Sequence, residues 1–317
     1  MANSSMKAAG IDTGKHTLEV ALSSGKSCLQ IGNDISGYRE LGAWLRRRGI
    51  KRAGIEASGG YERGVVGALR AQGFEVAVLQ PIQVRAYARF KLKRAKNDRI
   101  DARLIAECTA GVEDVRTPPD PKLAAMSERL RLIEQLDEDI ARAKTRLEGY
   151  RQKELIAQLK SEIKRLGKWR KEAIGTLLDE LRLDAALAKK LALLTSIPGI
   201  GERTALAMLI RMPELGRLSR EEAASLAGLA PYDDDSADRH GQRHIAGGRH
   251  RLRKAIYAAA LPAAFRWNQA LVALYKRLLA RGKPHKLALV ACARKLIVYA
   301  NTVLARGTPW LASPEPV

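Results

Sequence analysis

The chain has 317 residues, 46% of them hydrophobic, which is enough for two domains with real cores and excludes a basic disordered tail. Lysine and arginine number 56 against 34 acids, a formal charge of +22 that favours a polyanionic partner, nucleic acid before membrane. Cys28, Cys108 and Cys292 lie far apart with no CxxC pair, which argues for thiols of a reducing compartment rather than a disulfide frame or zinc site. Met1 to Gly10 lacks a charged start followed by an apolar run, and the apolar segment Leu287 to Leu304 is interrupted by Arg294 and Lys295. The expectation is a soluble cytoplasmic protein.

In chain order, Lys7 to Asp12, Thr17 to Leu22 and Cys28 to Ile31 read as strands separated by turn residues. Tyr38 to Arg48 has helical spacing through Leu41, Trp44 and Leu45, with Ser36 as the expected N-cap. A strand ends at Gly54-Ile55-Glu56, Tyr61 to Ala71 returns as a helix, and Phe74 to Leu79 is a strand stopped by Pro81. Three early strands followed by βαβ units predict a mixed sheet with helices on both faces.

Asp12 and Glu56 each close an apolar strand, and carboxyl ends of strands are where open α/β folds build sites. Further on, Lys96-Asn97-Asp98-Arg99-Ile100-Asp101-Ala102-Arg103 sits in a run rich in lysine and arginine whose only acids are Asp98 and Asp101. On a helix, a spacing of three sets the two carboxylates on one face, roughly 5–6 Å apart at Cβ. Read alone, the pair suits either a salt-bridged helix surface or a divalent cation within a phosphate-handling surface.

Gly10-Ile11-Asp12-Thr13-Gly14-Lys15, Ile55-Glu56-Ala57-Ser58-Gly59-Gly60-Tyr61 and Lys96-Asn97-Asp98-Arg99-Ile100-Asp101-Ala102 together resemble the three blocks of the DEDD insertion-sequence transposases. The resemblance implies an RNase H/RuvC-like domain over residues 1–116, with Asp12, Glu56, Asp98 and Asp101 binding magnesium. The lysines and arginines around the pair, Arg94, Lys96 and Arg99 among them, then become the surface that brings phosphates to the metal.

Thr117-Pro118-Pro119-Asp120-Pro121 marks the end of that domain. From Leu123 to Leu194 there is no proline, and apolar residues recur in steps of three and four from Met126 through Leu147 and from Ile156 through Leu181. That pattern predicts a helical, coiled-coil connector over residues 117–190 that also dimerises. It is either one helix spanning roughly 100 Å or a hairpin folded at Gly149, Gly167 or Gly175.

Residues 191–317 read as a helical third part. It opens on Ile197-Pro198-Gly199-Ile200-Gly201, followed by Arg203 and a helix from Thr204. Two glycines around one apolar residue fit a tight turn presenting N–H groups to phosphate, as in helix-hairpin-helix elements, or an ordinary turn between helices. The DEDD family carries a similar block here. Next come Ala227-Gly228-Leu229-Ala230-Pro231, a loop with three aspartates, Ser236 and Ala237, then Arg243 and a helix from about Arg249 with Arg251, Arg253 and Lys254 on its first turns. Basic residues at a helix start oppose the helix dipole, so either a bound polyanion or a solvated face accounts for them. His240, His244 and His250 lie nearby without cysteines, which suits phosphate contact or proton transfer better than zinc.

This block is similar to the C-terminal transposase domain of the same family, whose nucleophilic serine corresponds to Ser236. The family has glycine after that serine where this chain has Ala237. The resemblance further implies a homodimer or homotetramer and a structured guide RNA, the bridge RNA, pairing with donor and target DNA. The reading is therefore a DNA transposase/recombinase. The alternatives are a metal-dependent junction-resolving nuclease in which water attacks, and a non-enzymatic architectural nucleic-acid binder.

Overall fold

The computed structural model describes residues 7–25, 27–92, 98–113, 115, 120–232, 235–236, 239–240 and 243–311. The chain divides into two compact units, Met1–Pro118 and Pro119–Val317.

The first unit runs β1 (Ala8–Thr13), β2 (Thr17–Leu22), β3 (Cys28–Gly32), α1 (Ile35–Arg47), β4 (Arg52–Glu56), α2 (Arg63–Ala71), β5 (Glu75–Leu79), α3 (Pro81–Phe90) and α4 (Asp98–Ala110). The strands form one sheet in the order β3-β2-β1-β4-β5. β1, β2 and β3 are antiparallel neighbours, whereas β4 and β5 join parallel to β1. This is the mixed sheet expected from the three early strands and the βαβ units after them. α1 starts earlier than its apolar spacing suggested. Its N-cap is Asp34, whose carboxylate accepts from Gly37 N–H at 2.9 Å, and Ser36 lies inside the helix.

Alternation along the strands assigns the two faces. Ile11 and Ile55 pack with Leu41 and Leu45 of α1 and Val65 and Leu69 of α2. The opposite face carries Gly10, Gly54, Ala77 and Leu79, and there Ala77 and Leu79 pack with Val84 of α3 and Ile105 of α4. The two glycines are in register on neighbouring strands. A Cβ on Gly10 would overlap the Ala102 carbonyl oxygen and the Ala106 nitrogen, and one on Gly54 would overlap the Thr109 side chain. α4 thus lies directly on the backbone of β1 and β4.

The second unit begins with α5 (Pro121–Gly149) and α6 (Lys153–Arg182), followed by α7 (Ala185–Thr195), α8 (Glu202–Arg211) and α9 (Arg220–Leu226). The strand pairs β6 (Pro231–Tyr232) with β9 (His244–Ile245) and β7 (Asp235–Ser236) with β8 (Arg239–His240) come next. α10 (His250–Pro262), a π turn (Ala263–Trp267), α11 (Gln269–Ala280) and α12 (His285–Arg306) complete it. Of the two forms open to the connector, the structure has the hairpin. It turns at Gly149 to Gln152, while Gly167 and Gly175 lie within α6. The hairpin root, through Met126, Leu130, Ile133, Leu177 and Leu181, belongs to the same core as α7 to α12. Farther out, Leu136, Ile140 and Leu166 form a separate seam, so burial thins toward the tip. α12 is long and apolar enough to cross a membrane, but Leu289, Cys292, Leu296 and Ile297 are fully buried in the helical core.

The seat of α4 can be tested. Gly10→Ala should lower unfolding free energy by about 1–3 kcal/mol, as overpacking against backbone does. Gly67→Ala, on α2 with open space around its Cβ position, should be neutral or stabilise by about 0.5–1 kcal/mol. Urea unfolding of the two variants reads the difference.

Candidate active site

β1 and β4 run parallel with Ile11 beside Ile55, so Asp12 and Glu56 are the next residues on adjacent strands, at their carboxyl ends. Both share the face that carries Gly10 and Gly54, the face covered by α4. α4 meets Gly10 at Ala102 and Ala106, and Asp98 and Asp101 occupy the helical turn just before Ala102. Two strand residues advance about 6.6 Å and four helical residues about 6 Å, so the step from Gly10 to Asp12 matches the step from Ala102 back to Asp98.

The electrostatics agree with this geometry. The Asp12 carboxyl is pushed up to about 6, first by burial and then by the negative charges of Asp101, Asp98 and Glu56. The other three acids expected from the sequence therefore all act on Asp12. Asp98 is exposed, and the other three are intermediate in burial. A set of four carboxylates offers only hard oxygen donors, which suit magnesium or manganese rather than zinc. Among the described residues no three His, Cys, Asp or Glu side chains stand close enough to enclose an ion as they are. The residues fit a hard divalent cation by donor chemistry and by the negative charge that Asp101, Asp98 and Glu56 set against Asp12.

Two loops support the strand ends. Thr13 Oγ1 donates to Ser58 Oγ at 2.9 Å, and Ser58 Oγ donates to Glu62 Oε2 at 2.8 Å. Ser58 N–H and Gly60 N–H also donate to that carboxylate. Burial works to raise the Glu62 carboxyl, but these donors outweigh it and hold the group below its usual range. Asn33 Nδ2 donates to the carbonyls of Gly14 and Tyr61, tying the β1–β2 turn to the loop after β4. Glu19, buried, sits directly across from Asp12 on β2. Sequence reading missed Glu62, Asn33 and Glu19. Glu62, four residues after Ser58 beyond two glycines, had the one usable signal, that of a loop-closing acid.

The other expected site residues are distributed unevenly. Arg94 and Lys96 lie outside the described residues, and Arg99 is exposed on the first turn of α4. Gly199 has φ +103° in the α7–α8 turn, and a Cβ there would overlap Ala263. That turn is therefore packed inward on the π turn, and Asn268 Nδ2 donates to the Pro198 carbonyl at 3.3 Å. Gly201 caps α8 and faces open space. Arg203 is ion-paired with Asp137, and burial lowers its guanidinium below the usual range. Arg249 makes a bidentate pair with Glu214 at 2.9 and 2.7 Å, and Arg253 donates to the carbonyls of Gly228 and Gly247. These three guanidiniums hold the second unit together, whereas Arg243 and Lys254 are exposed. Ser236 lies in the short strand β7, paired with Arg239 of β8.

Comparison with known proteins gives the family. Residues 9–152 match the DEDD transposase profile of IS110, and residues 191–276 match that of the transposase IS116/IS110/IS902 family. The chain belongs to the IS110 family of DEDD transposases. It is a DNA transposase/recombinase. It is 27% identical over 320 residues to the pilin gene-inverting protein of Moraxella bovis, an alignment spanning 95% of this chain and 96% of that one. The pilin gene-inverting protein of Moraxella lacunata matches to the same extent. A 43.6 kDa insertion element IS110 protein of Streptomyces coelicolor is 36% identical over 117 residues, 36% of this chain and 29% of that one. Thermus thermophilus RuvC bound to a Holliday junction aligns at 17% identity with a TM-score of 0.27, covering 32% of this chain and 91% of RuvC.

The raised Asp12 carboxyl has a definite pH signature. Between its ordinary value near 3.8 and about 6, the folded state holds more protons than the unfolded chain. Asp12 therefore favours folding most below that window, and the contribution is lost as pH rises through about 6. In chelator, Asp12→Asn should remove this fall and gain roughly 1 kcal/mol above pH 6, discounted for partial exposure. Thermal unfolding of both proteins from pH 4 to pH 8 checks the sign.

Proposed function

We propose that this IS110-family transposase cuts and rejoins DNA strands with two kinds of chemistry, an acidic cluster and a serine nucleophile. The observation that carries the first is the convergence of Asp12, Glu56, Asp98 and Asp101, visible in what the last three do to Asp12. These four would hold magnesium, which when bound would polarise a phosphodiester and ease departure of its leaving oxygen. The lysines and arginines near α4, including Arg94, Lys96 and exposed Arg99, draw the DNA backbone toward the cluster.

Ser236 is the proposed nucleophile. Its Oγ attacks phosphorus, the strand's P–O bond breaks, and the departing oxygen takes a proton. The hydroxyl of a second strand then attacks the phosphoserine, forms the new phosphodiester and returns the serine. Each bond broken is replaced by one of the same kind, so exchange needs no ATP. Support for this assignment comes from the resemblance around Pro231 and from the family match over residues 191–276.

The remaining parts of the reading follow from charge and family. The protein acts on DNA in the cytoplasm, guided by a structured RNA, as a homodimer or homotetramer whose helical connector, residues 117–190, contributes to assembly. Arg243 and Lys254, both exposed, are the foremost phosphate contacts of residues 191–317, together with the Gly199–Gly201 turn and the first turns of α8 and α10, including Arg203, Arg249 and Arg253. End-to-end similarity to pilin gene-inverting proteins suits inversion as well as insertion of a DNA segment.

The test uses the full chain with the nucleic acid that copurifies with it, magnesium and DNA bearing its recombination sites. A protein–DNA adduct that survives denaturation should form and vanish in Ser236→Ala. Asp12→Asn and Glu56→Gln should each slow cleavage by on the order of 10²–10³, the scale of losing a transition-state stabiliser. Cleavage unchanged in Ser236→Ala would assign the attack to water, and cleavage unchanged in both acid variants would remove the acidic cluster from the chemistry.

A further inference from the structure

The second unit contains a cavity of about 290 Å³ that the strand-exchange chemistry does not use. It lies between the start of α9, the last three turns of α12 and the segment Thr308–Leu311. Its construction begins at Gly307, which ends α12 with φ +66° and turns the chain back. The returning segment is anchored by a hydrogen bond from Trp310 N–H to Ser196 Oγ at 2.8 Å. Trp310 then packs on Tyr299 of α12, ring centroids 4.6 Å apart and tilted by 49°.

The walls differ in chemistry. Val298, Tyr299 and Trp310 give an apolar, aromatic floor, while Arg220, Lys295 and Arg306 stand exposed at the rim. Among the described residues lining the cavity there is no carboxylate. This separates it from the larger cavity around Arg211, Arg249 and Arg251, whose guanidiniums are bound to Glu134 and Glu214. The volume lies at the low end of the range for small-ligand sites, about 300–1,000 Å³, which suits one heterocycle and not the end of a duplex. An aromatic platform beside cations is the usual means of holding single-stranded nucleic acid, because every base has a π face and every nucleotide a phosphate.

We propose that this cavity takes one unpaired nucleotide of a bound strand, its base against Trp310 and its phosphates against Arg306, Lys295 and Arg220. The site would hold a strand end, bulge or flipped base of the nucleic acid on which the protein works. It does not depend on the four acids of the first unit, so it can be tested without catalysis.

The experiment measures binding of fluorescein-labelled single-stranded oligothymidylate, single-stranded oligouridylate and a duplex of equal length to the full chain by anisotropy in chelator. Wild type is compared with Trp310→Ala, Trp310→Phe and Arg306→Glu, each confirmed folded by circular dichroism. Trp310→Ala should weaken binding of at least one single strand by roughly tenfold and leave the duplex within about twofold, and Trp310→Phe should restore most of the loss. Arg306→Glu, on an exposed side chain, should weaken the same single strand. The preferred strand distinguishes RNA from DNA as the source of the nucleotide. Equal loss for duplex and single strand in Trp310→Ala, or no loss for either single strand in both Trp310→Ala and Arg306→Glu, would overturn the proposal. Either result is independent of the fate of Asp12 and Ser236, since no cleavage is read.

Discussion

The first unit depends on the absence of two side chains. Gly10 and Gly54, neighbours across β1 and β4, leave the sheet bare where α4 rests, and any Cβ there would meet α4 itself. A helix normally stands on a sheet through a layer of side chains; here the backbones of β1 and α4 meet at Gly10. Close seating brings the first turn of α4 down to the level of the strand ends. That is why two acids forty-odd residues beyond Glu56 bear on Asp12, itself more than forty residues before Glu56. Without those glycines Asp98 and Asp101 would still be in the sequence, but would not bear on Asp12.

Close approach sets three negative charges against the Asp12 carboxyl. Asp12 is partly buried among three other acids, and the result is a carboxyl that resists ionisation. Such repulsion is unfavourable for folding, and a stability-optimised protein would relieve it with an arginine or an amide. Its retention beside a strongly basic remainder is the pattern of a functional site, where strain is balanced by a ligand. The neighbouring loops are built in the opposite sense. Glu62 accepts from donors on Ser58 and Gly60, and Asn33 ties two turns together, so the frame around the acids is held by satisfied hydrogen bonds.

Much of this was legible in the residues, and the reasons for the exceptions are physical. Asp12 and Glu56 showed themselves because a carboxylate closing an apolar strand is out of keeping with its neighbours. Asp98 and Asp101 stood out as the only acids in a basic run. Seams from Met126 to Ala143 and from Leu166 to Leu181 followed from steps of three and four, yet three glycines offered equivalent hinges, and only packing selected Gly149. Ser36 and Asp34 are both good caps, and the choice fell to which side chain met the Gly37 N–H. Sequence could not show that Arg203 and Arg249 have carboxylates waiting at Asp137 and Glu214, sixty-six and thirty-five residues away. A basic residue looks the same whether it faces a phosphate or an internal acid.

The central claim is that the four acids form one cation site in the folded chain. Diffraction from crystals equilibrated with manganese, recorded at the manganese absorption edge, tests it most directly, because the anomalous signal reports the ion independently of catalysis and of nucleic acid. The account predicts a peak between the carboxyl ends of β1 and β4 and the first turn of α4, within ligand distance of Asp12 and at least two of Glu56, Asp98 and Asp101. Manganese bound only elsewhere, or no peak there at saturating concentration, would contradict it.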